Sequence, residues 1–223
     1  MGRFFIFLAL TAIVYFVISH KHPGHAQTSG NHRQGTSILL DLETAGTDHL
    51  PETFIVLDLE TTGFDAARQE IIEIAAIRYR KGETRHAIFQ SLVKPKQKVP
   101  RKITEITGIT QEMVAKEGRP LSEVLHEFNA FIGTARLVAF NAQFDMRFLA
   151  AARENHNLPK STNPVSCALK MARRAWPRRQ SHRLDALAAD GGFANGQAHR
   201  ALEDARRALI VYAAAAAALK AHE

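Results

Sequence analysis

Two acids close an apolar run in IVLDLETTG, residues 55 to 63: Asp58 and Glu60. Two positions apart on an extended chain, their side chains leave the same face. At the end of a buried strand two carboxylates are costly, and their repulsion raises one pKa unless cations hold both ionised. A divalent cation is the simplest compensation, and oxygen-only ligands suit Mg²⁺ or Mn²⁺ rather than zinc. The plainer alternative is an Asp–Glu pair that caps a turn or helix. Asp145, in AFNAQFD, follows a second short apolar run and opens a helical stretch, where an acid also serves as a dipole partner. His199 and Asp204 stand in HRALEDA at the start of a third stretch. A lone histidine in such a place is usually a surface residue. Together, four acids and a histidine at element ends have what two-metal phosphodiester hydrolysis requires. Two cations roughly 3.5–4 Å apart activate a water and stabilise the leaving 3′ oxygen. An imidazole, which titrates near neutral pH, suits the general base.

The first of these phrases has a near-copy. Residues 38 to 46 read ILLDLETAG, with Asp41 and Glu43 placed as Asp58 and Glu60 are, 17 positions earlier. The residues downstream of each copy rank the two. After Asp58 come a turn and EIIEIAAIRYR, a partner strand. After Asp41 comes TDHLPET, polar and interrupted by Pro51. NAQFD and HRALED occur once each, so the pattern implies one site, with the Asp41–Glu43 copy an echo in a tether or an extra strand.

The elements that position these residues are legible from periodicity. TFIVLDLE is rich in β-branched and aromatic residues and reads as a buried strand; EIIEIAAIRYR and HAIFQSLV come next, with KGET as the turn, as an antiparallel meander. PLSEVLHEFNAFI places Leu121, Val124, Leu125, Phe128 and Ile132 at helical spacing behind Pro120. RLVAF is a short strand. FDMRFLAAARENH, SCALKMARRAW, RLDALAAD and ALEDARRALIVYAAAAAALKA are helical, the alanine run 213 to 218 closing the last helix. Strands followed by helices, with a strand between helices, predict an α/β fold on a mixed sheet.

Ahead of this globular part, taken as residues 51–223, lie two other segments. FFIFLALTAIVYFVIS, residues 4 to 19, is uncharged, and as a helix it rises roughly 24 Å, slightly short of a hydrocarbon core of ~30 Å. Arg3 and Lys21 can snorkel to cover the shortfall, so residues 1–20 are expected to be a membrane anchor. The competing reading is a signal peptide cleaved near Ala26. Arg3 against Lys21 and Arg33 favours a cytoplasmic location for the domain. Residues 21–50 read as a flexible tether; the four histidines from the end of the apolar run onward (His20, His22, His25 and His32) are solvated.

Twenty-nine Lys and Arg against 22 Asp and Glu give a net charge of +7, which suits an anionic partner such as nucleic acid or a membrane surface. Cys167 is the only cysteine, so no intrachain disulfide forms.

DLETTGFD with EIIEIAAIRY, AFNAQFD and HRALEDA, in that order, resemble the three motifs of the DEDDh exonucleases, the family of the epsilon proofreading subunit of bacterial DNA polymerase III. ITEITGIT and RLDALAADGG are also epsilon-like, and the resemblance covers about residues 52 to 213. It implies a ribonuclease H-like mixed sheet flanked by helices, two Mg²⁺ (or Mn²⁺), and 3′→5′ removal of nucleoside 5′-monophosphates. By the family pattern Asp58, Glu60 and Asp204 hold one metal, Asp58 touches the second, Asp145 joins directly or through water, and His199 is the base. Backbone around Thr61, Thr62 and Gly63 receives the 3′-terminal nucleotide. Asn141 and Phe144 occupy family places beside it, with Phe144 lining the pocket.

The family's proofreading members carry a polymerase-binding tail. No polymerase-binding segment is recognised here, so a stand-alone exonuclease trimming ends near a membrane is expected. Its substrate is DNA, with single-stranded 3′ ends foremost. The alternatives are the same chemistry on RNA, a non-catalytic nucleic-acid-binding module, and a membrane-tethered scaffold whose basic surface, Arg173, Arg174, Arg178, Arg179 and Arg183 among it, binds lipid.

Overall fold

A computed structural model describes residues 50–190 and 199–221. The apolar run 4–19, the tether, the cleavage position at Ala26 and the Asp41–Glu43 copy lie outside the described residues. Among the described residues no helix is long and apolar enough to cross a membrane.

The sheet has five strands: β1 (Thr53–Thr61), β2 (Ile71–Arg80), β3 (Ala87–Leu92), β4 (Arg136–Ala139) and β5 (Val165–Cys167), in the order β3-β2-β1-β4-β5. β1 to β3 form the expected antiparallel meander, and β4 and β5 add in parallel beyond β1. The sheet is therefore mixed, with β1 at its centre and the carboxyl ends of β1, β4 and β5 at one edge. The register of β1 against β2 shifts between Glu60 and Thr61, so Ile72 is an extra residue on β2 beside the end of β1. Such a bulge bends a strand and re-aims its side chains.

Strand alternation divides the core in two. Ile55, Leu57 and Leu59 face α3 (Leu121–Ile132) and α4 (Ala142–Asn155), packing with Val124, Leu125, Phe128 and Phe148. Phe54 and Val56 point the other way, against Ala205, Ala208, Leu209 and Tyr212 of α7 (Ala201–Lys220). The small alanines let α7 lie close on the sheet. α5 (Ala168–Ala175) and α6 (Leu184–Asp190) complete that layer.

Two details differ from the sequence expectation. The stretch read as one helix from SCALK onward begins with strand β5, and its helix starts only at Ala168. Two short helices, α1 (Arg101–Thr107) and α2 (Gln111–Lys116), lie between β3 and α3. They are set by local chemistry: Gly108 ends α1 at φ 71, and the Thr110 hydroxyl accepts from the Met113 amide at 3.1 Å to cap α2.

Candidate active site

β1 brings the first two acids to the edge of the sheet. Asp58 and Glu60 continue the row of Phe54 and Val56, on the face that α7 covers. α7 starts where that row ends, and its first turn carries Asp204. Carboxylate oxygens of Asp58, Glu60 and Asp204 lie within 4.8 Å of one another. Asp145 comes from the opposite layer, in the first turn of α4, and is buried. It stands outside that trio, accepts from its own amide and that of Leu59, and its charge bears on Asp58. The structure thus gathers all four predicted acids from three elements.

Their electrostatics are those of a cation site. Burial, then repulsion from Asp145, Glu60, Asp204 and Glu73, holds the Asp58 carboxyl well above the usual range. Burial pushes Glu60 up to about 8, with Asp204 and Glu73 adding and Arg200 opposing. Burial pushes Asp145 up to about 7 and raises Asp204, the latter partly offset by Arg207, whose Nη1 sits 2.7 Å from Asp204 Oδ1. Carboxylates packed this densely must bind protons or cations. An oxygen-only donor set fits a hard divalent ion.

These shifts tie the protein's stability to pH. The raised carboxyls bind protons more tightly folded than unfolded, so they favour the folded state at low pH, and that advantage disappears as pH climbs from about 4 through about 8. Melting curves in EDTA should show a steeper loss of Tm between pH 5 and 9 than a Glu60→Gln variant shows. Mn²⁺ should flatten it. A pH slope that Mn²⁺ and Glu60→Gln both leave untouched would rule out this linkage.

His199 precedes α7, is exposed, and has φ 63, a left-handed conformation that costs a non-glycine residue about 1–2 kcal/mol. Its amide donates to the Asp204 carboxylate, tying it to the acid group.

The turn after β1 is tightly self-bonded. The Thr61 hydroxyl donates to the Gly63 carbonyl at 2.6 Å. The Thr62 amide donates to the Glu70 carbonyl at 2.8 Å, and its hydroxyl bridges Gln69 and the Glu70 amide. The Thr62 amide is therefore engaged within the turn. A Cβ on Gly63 would meet the Gln69 side chain at 3.0 Å. Asn141 caps α4, its carbonyl accepting from the Phe144 amide at 2.8 Å. Phe144 packs on Phe148 at 4.9 Å between ring centres and meets Phe64 edge-on at 6.4 Å.

Sequence reasoning passed over three residues here. Phe64 is 79% exposed at the rim. Its signal was an aromatic directly after the glycine of DLETTG. Arg207 is buried against Asp204, a pairing that i,i+3 spacing made readable. Glu73 is fully buried on β2, opposite Glu60, and was flagged only by being an acid inside an Ile- and Ala-rich strand.

A family model described as Exonuclease, of RNase T type, matches residues 55–212. The DNA polymerase III epsilon subunit of Aquifex aeolicus is 38% identical over 184 residues, 82% of this chain and 81% of that one. The PolC-type DNA polymerase III of Halalkalibacterium halodurans is 39% identical over 169 residues, 75% of this chain but 10% of that one. The chain therefore spans about a tenth of the PolC-type relatives. E. coli exonuclease I with a dT13 oligonucleotide superposes with a TM-score of 0.62 at 20% identity, covering 71% of this chain and 40% of that one. A second exonuclease I structure reaches a TM-score of 0.65 at 19% identity, covering 71% and 39%. These likenesses concern fold: a ribonuclease H-like mixed sheet flanked by helices.

Proposed function

The chain belongs to the DEDDh-type exonuclease family, and from that premise we propose that it removes nucleoside 5′-monophosphates from single-stranded 3′ ends of DNA by metal-dependent hydrolysis. The single observation that carries this reading is the carboxylate trio of Asp58, Glu60 and Asp204, backed by buried Asp145 and bordered by His199. Asp58, Glu60 and Asp204 would hold one divalent cation, and Asp58 with Asp145 a second, Mg²⁺ or Mn²⁺. Cations bound there would supply water activation and offset the charge that develops on the phosphoryl and leaving oxygens. His199 takes the proton from the attacking water. Phe144 and the exposed Phe64 offer aromatic faces for the terminal base, and base–aromatic stacking contributes ~1–3 kcal/mol per base. DNA as substrate is supported by the polymerase III relatives and by exonuclease I with dT13 bound.

The same reading gives the enzyme a location. The uncharged run 4–19, flanked by Arg3 and Lys21, supports a membrane anchor with the catalytic domain on the cytoplasmic side. Deleting residues 1 to 35 should leave the enzyme active. That truncation, assayed with Mg²⁺ and with Mn²⁺ on single- and double-stranded DNA and RNA of matched sequence, tests the substrate and whether the domain works without the N-terminal segment, and membrane fractionation of the full chain against the truncation tests the anchor. Fastest release from single-stranded DNA is expected. Preference for RNA, or a folded truncation without activity, would overturn the respective part.

A further inference from the structure

Glu73 is the one buried acid near the site, among the described residues, that neither the metal ligands nor the base requires. Its carboxylate sits inside the sheet, and a charge in that position needs its acceptor positions filled. Four donors fill them. Gln90 Nε2 lies 2.9 Å from Oε1, and Arg200 Nη2 lies 2.7 Å from the same oxygen. Arg200 Nε and the Ala201 amide reach Oε2 at 3.2 and 3.1 Å. Gln90 belongs to β3, Arg200 comes directly after His199, and Ala201 is the first residue of α7. One carboxylate therefore joins two strands to the head of the helix across 127 positions of sequence. The guanidinium meets it side-on with two nitrogens, which fixes direction as well as distance.

Glu73 is also the register partner of Glu60. The head of α7 is thus fastened to the sheet at the level of the metal-binding carboxylates, one strand away. His199 is bracketed: its amide goes to Asp204, and the next residue goes to Glu73. A left-handed histidine persists only where its surroundings over-determine it, and these two ties are what the structure provides.

We infer that Glu73 and Arg200 are positioning residues that hold His199 toward the water attacking at the metal site. The inference rests on His199 being the base and names what places it. Arg200→Met keeps the aliphatic stem and removes the fork. It should be made alone and in a His199→Ala background, and assayed on a 3′-labelled dT oligomer with Mn²⁺. Alone, it should lower kcat about 10–100-fold, the scale of a small misplacement of a reacting group. KM and Mn²⁺ affinity should stay within about threefold. In the His199→Ala background it should cost less than about twofold. Equal losses in both backgrounds, a loss confined to KM or Mn²⁺ affinity, or no loss of kcat would overturn the positioning role. If Arg200→Met does not fold, Glu73→Gln in the same two backgrounds gives the same comparison. Full kcat in His199→Ala alone would instead sink the base reading, which keeps the two failures apart.

Discussion

Replacing Asp58 with asparagine should nearly abolish turnover while making the metal-free protein more stable. Asp58 is the acid on which the charges of the other three converge, and it is proposed to serve both cations. Losing a ligand to a divalent ion that supplies several kcal/mol of transition-state stabilisation corresponds to about three orders of magnitude in kcat or more. The stability change has the opposite sign for the same reason. The side chain is partly buried and faces the charges of Asp145, Glu60, Asp204 and Glu73, and an amide of the same shape removes that repulsion. A gain of roughly 1 kcal/mol is the scale of such functional-site substitutions, or about 2–4 °C in Tm for a domain of this size. Single-turnover cleavage of a labelled dT oligomer and melting in EDTA measure the two effects. Intact Mg²⁺-dependent cleavage in Asp58→Asn would remove this residue from the site.

The second large effect is at His199. His199→Ala should lower kcat by about 10²–10⁴, the range for loss of a positioned general base, with KM nearly unchanged. Mn²⁺ binding, measured by titration, should also hold, because the imidazole is not among the carboxylates that form the trio. Metal affinity falling in parallel with kcat would show that His199 acts on the cations rather than on the water. The exposed position of the residue makes this substitution gentle on folding.

How much of this was legible depended on how local each signal is. Asp58 and Glu60 declare themselves because a strand's period of two puts both on one face, and β1 proved to be that strand. α3 matched its apolar stripe, with Val124, Leu125, Phe128 and Ile132 buried. Asp145 was readable as the acid opening a helix, but its burial among Ala142, Phe148 and Leu149 was not. β5 was missed because three residues at a sheet edge, with Val165 exposed, have no period to detect. Glu73 and Arg200 were missed for another reason: each satisfies the other across 127 positions, and no neighbouring residue hints at it. The engaged Thr62 amide belongs to the same class, since its acceptor is a backbone carbonyl whose place only the folded turn fixes.

The helix that covers the face of Phe54 and Val56 also supplies the third carboxylate and carries the histidine at its head. A nascent chain that has not yet produced and docked α7 therefore holds Asp58 and Glu60 on an uncovered sheet, without Asp204 or His199. Synthesis at roughly 5–20 residues per second leaves that arrangement in place until the helix has been made and has docked. Because His199 and Asp204 follow every strand of the sheet along the chain, the proposed metal site is completed only after the sheet that carries Asp58 and Glu60 has been made. A product cut short before residue 201 lacks Asp204 and the helix that brings it to Asp58 and Glu60.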